Sequence, residues 1–105
     1  MKVHVELSLI PLGVGVSLSP YIAECERVFE KAGLRHDLHA DGTTVVGEWD
    51  EVFRAVEECH RRVHDQSVPR IYSTLKVSTR TDRDQQPEER VESVRRKLAE
   101  QEGES

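Results

Sequence analysis

Several residue types and sequence patterns on which known functions depend are missing from this chain of 105 residues. Asparagine does not occur, and aromatic residues are limited to one Trp, two Tyr and two Phe. A sheet that reads RNA stacks bases on two or three aromatic side chains flanked by Lys and Arg, so this composition disfavours RNA recognition. The chain also lacks a glycine-rich nucleotide loop and a G-x-S-x-G sequence, which argues against nucleotide hydrolysis and against acyl transfer through a serine.

An excess of positive charge is missing as well. The chain carries 15 Lys and Arg against 20 Asp and Glu, a formal net charge of −5. Non-specific binding of nucleic acid depends on clustered positive charge, so we expect no nucleic-acid partner. Polar residues interrupt the first ten positions, MKVHVELSLI, and no apolar run suits a signal peptide or a membrane span. We therefore expect a cytoplasmic protein with no membrane partner.

Cysteine occurs only at Cys25 and Cys59. Two cysteines without C-x-x-C spacing indicate neither a disulfide framework nor a four-thiolate zinc site. Each lies in the apolar stripe of a predicted helix, so we predict two buried structural thiols.

Histidine spacing gives a second reason to consider a metal. His60 and His64 are one helical turn apart, and His36 and His39 form another pair near a predicted hairpin. No H-E-x-x-H sequence is formed, and His60 falls within an apolar stripe. We predict one partly buried and one exposed histidine on this helix, with no metal and no cofactor, and metal binding by His60 and His64 stays a secondary hypothesis.

The hydrophobic pattern predicts one domain over residues 1–100 and a disordered tail at 101–105. Val3, Val5, Leu7 and Leu9 alternate with polar residues as in a half-buried strand, and Asp41-Gly42 is a hairpin signal. The predicted elements are a strand at 3–10, a helix capped by Ser19 and ending at Gly33, strands at 34–40 and 43–48, a helix capped by Asp50, a strand from 71 toward 80, a loop at 81–86 and a last helix after Pro87.

This order favours an α+β fold, the ferredoxin-like βαββαβ sandwich, with an additional C-terminal helix. Two helices cover one face of such a sheet and leave the other face open. The last helix carries only a narrow apolar stripe and has few contacts to offer its own subunit. Strand alternation places the following residues on the open face: His4, Glu6, Ser8, Thr44, Val46, Glu48, Tyr72, Thr74 and Lys76.

The predicted open face is semi-polar, with hydroxyls, carboxylates and one phenol. Two interpretations stay open at this point. The face is either exposed to solvent, or it is a contact between subunits that also holds a small polar ligand. The limited core of so short a chain favours association, since further burial stabilises a marginal domain.

Several short motifs follow in order along the chain: IPLG at 10–13, SLSPY at 17–21, GL at 33–34, LH at 38–39, GT at 42–43, GEWDEV at 47–52, CH at 59–60, and RIYSTLK at 70–76 with Arg80. In their order and spacing they resemble the thiamine-binding protein family of the YkoF-like superfamily. This resemblance implies a ferredoxin-like subunit, a homo-oligomer (dimer or tetramer), binding of thiamine or its hydroxymethylpyrimidine part near subunit contacts, and no catalysis. The chain departs from the family pattern at His36, Ala40, Asp41 and Val46.

A thiamine site needs hydrogen-bonding groups at the edge of the aminopyrimidine ring and a carboxylate or aromatic face near the cationic thiazolium. Lys76 would neutralise Glu6 or hold an anion. The ligand-binding residues expected on this basis are Glu6, Ser8, His39, Thr43, Thr44, Glu48, Tyr72, Thr74 and Lys76.

Two other functions fit the same scaffold. One is a structural oligomerisation module without a small ligand, which would use the same face. The other is a hydrolase of acylphosphatase type, which needs a glycine-rich anion loop, an adjacent Arg and an Asn that positions water. The absence of Asn disfavours the hydrolase.

Overall fold

The computed structural model describes residues 1–82 and 87–103, and within them the chain forms one four-stranded sheet and three helices. The elements are β1 (Lys2–Pro11), α1 (Ser19–Lys31), β2 (Arg35–His39), β3 (Gly42–Glu48), α2 (Trp49–His64), β4 (Ile71–Thr79) and α3 (Pro87–Gly103). The strand order is β2-β3-β1-β4, and all neighbouring strands are antiparallel. The predicted ferredoxin-like sandwich with an additional C-terminal helix is confirmed.

The core lies between the sheet and the pair α1 and α2. In β1 the apolar residues from Val3 to Leu9 are buried, whereas the polar residues between them are partly exposed, which confirms the predicted alternation. Phe29 of α1 and Val52 and Val63 of α2 are fully buried against this face. Cys25 and Cys59 are also buried here and are free thiols, as predicted.

The helices begin differently from the predicted caps. Ser19 is already the first residue of α1, and the cap position belongs to Leu18, whose carbonyl accepts hydrogen bonds from the backbone N–H groups of Tyr21 and Ile22. Pro20 lies in the first turn, as predicted. In α2 the cap position is Glu48, without a side-chain cap bond, and Asp50 lies in the first turn. There a carboxylate interacts favourably with the helix dipole without serving as a cap.

The C-terminal part also differs from the prediction. α3 continues through Gly103, so residues 101–103 are helical instead of belonging to a disordered tail. Residues 104–105, and positions 83–86 of the predicted loop, lie outside the described residues. No helix in the described part of the chain has the length and apolar character needed to cross a bilayer.

The first turn of α3 covers one end of the open face, a contact that the pattern did not predict. Arg35 Nη1 donates to Glu88 Oε1 at 2.9 Å, and Arg90 Nη2 donates to Ser78 Oγ at 2.8 Å. Between these contacts Val46 is only 4% exposed although it faces away from α1 and α2. Beyond Arg90 the apolar stripe of α3 is exposed, at 49% for Val91, 58% for Val94 and 53% for Leu98.

Candidate functional site

The strand register arranges the side chains of the open face in rows across the sheet. Ser8 of β1 is paired with Thr74 of β4. Glu6 lies one row further along, between Thr44 of β3 and Lys76 of β4. The next row contains His4 between Val46 and Ser78, at the end that α3 covers. Five of the predicted ligand residues, Glu6, Ser8, Thr44, Thr74 and Lys76, therefore lie together on the uncovered part of the face.

Glu6 is the central polar group of this arrangement. Its side chain is partly buried, and within residues 1–82 and 87–103 it has no hydrogen-bond or ion-pair partner. A partly desolvated carboxylate without a partner loses hydration and gains no compensating bond inside the protein. The position suits a carboxylate whose partner is supplied by another molecule.

A pocket of about 290 Å³ lies at the border between the open face and the helix-covered face of the sheet, where the β2–β3 hairpin meets β1 and the start of α1. Leu9, Ile22 and Leu38 contribute to its mostly apolar wall. Polar groups come from residues that include Ser8, His39 and Asp41. A small concave site of this kind, apolar with a few polar groups at one side, has the character of a small-molecule pocket.

The hairpin places its two threonines on opposite faces of the sheet. Thr44 faces the open side, where its Oγ1 lies 3.2 Å from His39 Nε2. Thr43 faces the helices and is buried, and its hydroxyl donates to Glu26 Oε1 of α1 at 2.8 Å. Thr43 therefore anchors β3 to α1 with its hydroxyl, although the residue also contributes to the pocket wall.

The remaining predicted ligand residues lie at the margins. Glu48 is at the far end of β3, where its carboxylate pairs with the N-terminal amine at 3.0 Å, so the structure does not bring it to the pocket. Tyr72 extends the row of open-face residues on β4, beside Ile10, and is 63% exposed. Ile10 was absent from the sequence-based set, because its apolar side chain falls on the polar side of an alternating strand.

The two histidine pairs are held by contacts within the protein. His36 and His39 are three residues apart on a strand and face opposite sides: His36 Nδ1 donates to the Leu34 carbonyl at 2.9 Å, whereas His39 lies beside Thr44.

On α2, His60 Nε2 lies 2.9 Å from Ser73 Oγ, and His64 Nδ1 donates to the Val68 carbonyl at 2.7 Å. Burial and the nearby His64 lower the pKa of His60. No cluster of three or more metal-binding side chains is found among the described residues.

Comparison with known proteins shows which proteins this chain is similar to. A family model described as "Thiamine-binding protein" matches residues 5–95. The UPF0045 protein sll0230 of Synechocystis sp. is 52% identical over 94 residues, covering 90% of this chain and 78% of that protein. The UPF0045 protein ECM15 of Eremothecium gossypii is 33% identical over 101 residues, covering 93% of this chain and 96% of its own.

Solved structures agree with the fold. The hypothetical protein MJ1052 of Methanocaldococcus jannaschii superposes with a TM-score of 0.82 at 36% identity, covering 89% of this chain and 95% of that one. A candidate thiamine biosynthesis/salvage protein (TM0486) of Thermotoga maritima superposes with a TM-score of 0.75 at 23% identity, covering 90% and 99%. At that identity the second likeness shows the fold alone.

Proposed function

The chain belongs to the thiamine-binding protein family, and on that premise we propose that it binds thiamine, or the hydroxymethylpyrimidine part of thiamine, in the pocket and on the adjoining open face. The observation that carries the proposal is Glu6, a partly buried carboxylate without a partner among the described residues, two residues along β1 from Ser8, which lines the pocket. The match of residues 5–95 to the family model described as "Thiamine-binding protein" supports the same ligand class.

In the proposed complex the aminopyrimidine ring enters the pocket. Its faces contact the apolar wall to which Leu9, Ile22 and Leu38 contribute, and its polar edge meets Ser8 and His39. Hydroxyl and imidazole groups both donate and accept hydrogen bonds, as a ring with an amino group and two ring nitrogens requires. Thr44 orients His39 through their contact at 3.2 Å, and Thr74 adds a hydroxyl beside Ser8.

The cationic thiazolium ring lies toward Glu6 in this arrangement. Glu6 and Ser8 are two residues apart on one strand, a separation of about 7 Å that two linked rings can span. The carboxylates of Glu6 and of Asp41 at the pocket favour a positive charge. Lys76 is the cross-strand neighbour of Glu6, and its positive charge opposes that of the thiazolium. We therefore expect hydroxymethylpyrimidine, which lacks the cation, to bind only moderately more weakly than thiamine.

We further propose that a second copy of the chain closes the site, as a dimer or tetramer. The pocket is open on one side, and Ile10 and Tyr72 present exposed apolar surface beside it. The exposed stripe of α3 at Val91, Val94 and Leu98 supplies a further surface for association. Binding at such a contact requires no chemical step, so the protein is proposed to be a cytoplasmic binding protein without catalysis.

Isothermal titration calorimetry with thiamine and with hydroxymethylpyrimidine tests the proposal. Glu6→Gln keeps the shape of the side chain and removes its charge, and we expect its Kd for thiamine to rise about tenfold or more, because a hydrogen bond to a charged group contributes about 1.5–3 kcal/mol. Glu48→Gln removes a carboxylate of the same sheet that lies away from the pocket, and it should leave the Kd for thiamine unchanged. Equal affinity of wild type and Glu6→Gln would exclude Glu6 from the site.

The second candidate is a structural oligomerisation module, which the exposed stripe of α3 favours. Native mass spectrometry separates the two functions, because it reports the number of subunits and any bound small molecule together. An oligomer that takes up neither thiamine nor hydroxymethylpyrimidine at saturating concentration would support the module and contradict ligand binding.

A further inference from the structure

The two cysteines of the chain meet between α1 and α2. Cys25 is 6% exposed and Cys59 is fully buried, and both are free thiols. The Cys59 thiol donates to the backbone carbonyl of Cys25, with 3.9 Å between sulfur and oxygen. The two side chains therefore belong to facing positions of adjacent helices, 34 residues apart in sequence.

The two thiols differ in their position relative to the pocket. Cys25 is part of the pocket wall beside Ser8 and His39, whereas Cys59 lies behind it and is not among the residues that line the pocket. A small uncharged oxidant such as hydrogen peroxide can reach Cys25 through the pocket opening. Cys59 becomes reactive only through its contact with Cys25.

We propose that Cys25 and Cys59 form a peroxide-sensitive thiol pair that closes a reversible disulfide between α1 and α2 behind the pocket. The Cys25 thiolate attacks one oxygen of hydrogen peroxide, the O–O bond breaks, and one water leaves after protonation, which gives a sulfenic acid at Cys25. The Cys59 sulfur then attacks the Cys25 sulfur, the S–O bond breaks, and a second water leaves. Two thiols are oxidised to one disulfide and one peroxide is reduced to two waters.

Access through the pocket sets the order of these steps, because Cys25 lines the pocket and Cys59 is fully buried, and the electrostatics of the pair act in the same direction. When Cys25 is ionised, its sulfur accepts the Cys59 S–H in place of the Cys25 carbonyl, and this hydrogen bond lowers the pKa of Cys25, although burial and the carboxylates of Glu26 and Glu24 act in the opposite direction. The same hydrogen bond raises the pKa of Cys59, as does its burial. The thiolate is the reactive form of cysteine, so the residue exposed to the pocket is also the one that ionises first.

The disulfide changes the pocket because Cys25 is part of its wall. Its sulfur turns toward α2 when it bonds to Cys59, which alters the surface that a bound ring contacts. This consequence rests on the proposed function: thiamine in the pocket should shield Cys25 and slow its oxidation. The disulfide itself does not depend on the ligand.

The test treats the intact protein with hydrogen peroxide, alkylates the remaining thiols and measures the intact mass. We expect the monomer to lose two hydrogens, to take up no alkyl group, and to regain both thiols after dithiothreitol. In Cys59→Ser, Cys25 should be oxidised to a sulfenic acid that dimedone traps. In the matched variant Cys25→Ser, Cys59 should react with peroxide at least tenfold more slowly than Cys25 does in Cys59→Ser.

Three results would overturn the proposal: both thiols still open to alkylation after peroxide treatment, a disulfide between two chains instead of within one, or equal peroxide reactivity of the two single-cysteine variants. If circular dichroism shows that either variant does not fold, the wild type is alkylated briefly and its peptides are mapped instead. We expect Cys25 to be labelled before Cys59, and the reverse order would contradict the mechanism. A disulfide that forms at the same rate with and without thiamine would contradict the proposed ligand position but not the proposed thiol pair.

Discussion

Gly42 closes the hairpin against β1 beside the pocket, and replacing it with alanine tests how tightly this contact is built. An added Cβ at this position would lie 2.5 Å from the Leu7 carbonyl oxygen and 3.2 Å from the Leu7 carbonyl carbon. Both are backbone atoms of a central strand, so they cannot rotate away as a side chain can. Gly42→Ala must therefore push the start of β3 away from β1, at the point where Ser8 and His39 face the pocket.

The size of the effect follows from two opposing contributions. Forcing an extra carbon into a well-packed contact costs about 1–3 kcal/mol. Alanine restricts the unfolded chain more than glycine does, which returns about 0.4–1 kcal/mol of stability. We expect a net loss of about 1–2 kcal/mol in the free energy of unfolding. For a domain of this length that corresponds to a fall in Tm of about 5–15 °C.

Urea unfolding followed by circular dichroism measures this loss, and Gly47→Ala is the matched control on the same strand. A Cβ at Gly47 would meet Leu34 Cδ2 at 2.7 Å and Val52 Cγ2 at 3.3 Å, the ends of side chains, one of them flexible. The leucine can adjust, so the control should lose less than half as much stability. A Gly42→Ala protein as stable as the wild type, or more stable than Gly47→Ala, would refute the close approach of β3 to β1.

Two further predictions concern the core and the response to pH. Phe29→Ala removes a fully buried ring whose centroid lies 5.9 Å from that of His36. The free energy of unfolding, measured in urea, should fall by about 3–5 kcal/mol. A loss below about 1 kcal/mol would place Phe29 outside the core. Burial, with a smaller effect of His64, lowers the pKa of His60 in the folded state. The contribution of neutral His60 to stability is therefore present above the pKa of the unfolded state and is lost as the pH falls through the pKa of the folded state. The wild type should therefore lose more stability than His60→Gln between pH 7 and pH 5, and equal losses in urea titrations at the two pH values would contradict the assignment.

The sequence pattern predicted the sheet and the two covering helices because each signal in them is local. Alternation from Val3 to Leu9 identifies a strand with one buried face, and Asp41-Gly42 identifies a hairpin from two residues. Once α1 and α2 cover one face, the period of the strand assigns Glu6, Ser8 and Thr74 to the other. This assignment of side chains to a face holds only where the alternation along the strand is regular.

The features that the pattern missed depend on contacts between distant residues. Arg35 and Glu88 are 53 positions apart, and no local signal predicts that the first turn of α3 returns to the sheet and buries the surroundings of Val46. The pocket arises in the same way, because Ile22, Leu38 and Leu9 come from three elements. Alternation along β3 places Thr43 and Thr44 on opposite faces, but their partners, Glu26 for one hydroxyl and His39 for the other, depend on contacts that no local pattern predicts.

The caps show a different limit. Ser19 and Asp50 are residue types that often cap helices, and each lies within the first turn of its helix instead. Pro20 tolerates an earlier start, because its missing N–H is one that the first turn leaves unbonded in any case. Prediction of the exact first residue therefore fails by one or two positions while prediction of the helix itself succeeds.

We propose that the uncovered part of the open face, from Glu6 to the pocket at Ser8 and His39, holds the ligand where subunits meet. A crystal structure of the protein with thiamine tests it most directly. We expect an oligomer in which the pyrimidine ring occupies the pocket within hydrogen-bond distance of Ser8 or His39, with the Glu6 carboxylate next to the ligand. A monomer, or thiamine bound on the outer surface of α1 and α2 with this face left in solvent, would contradict it.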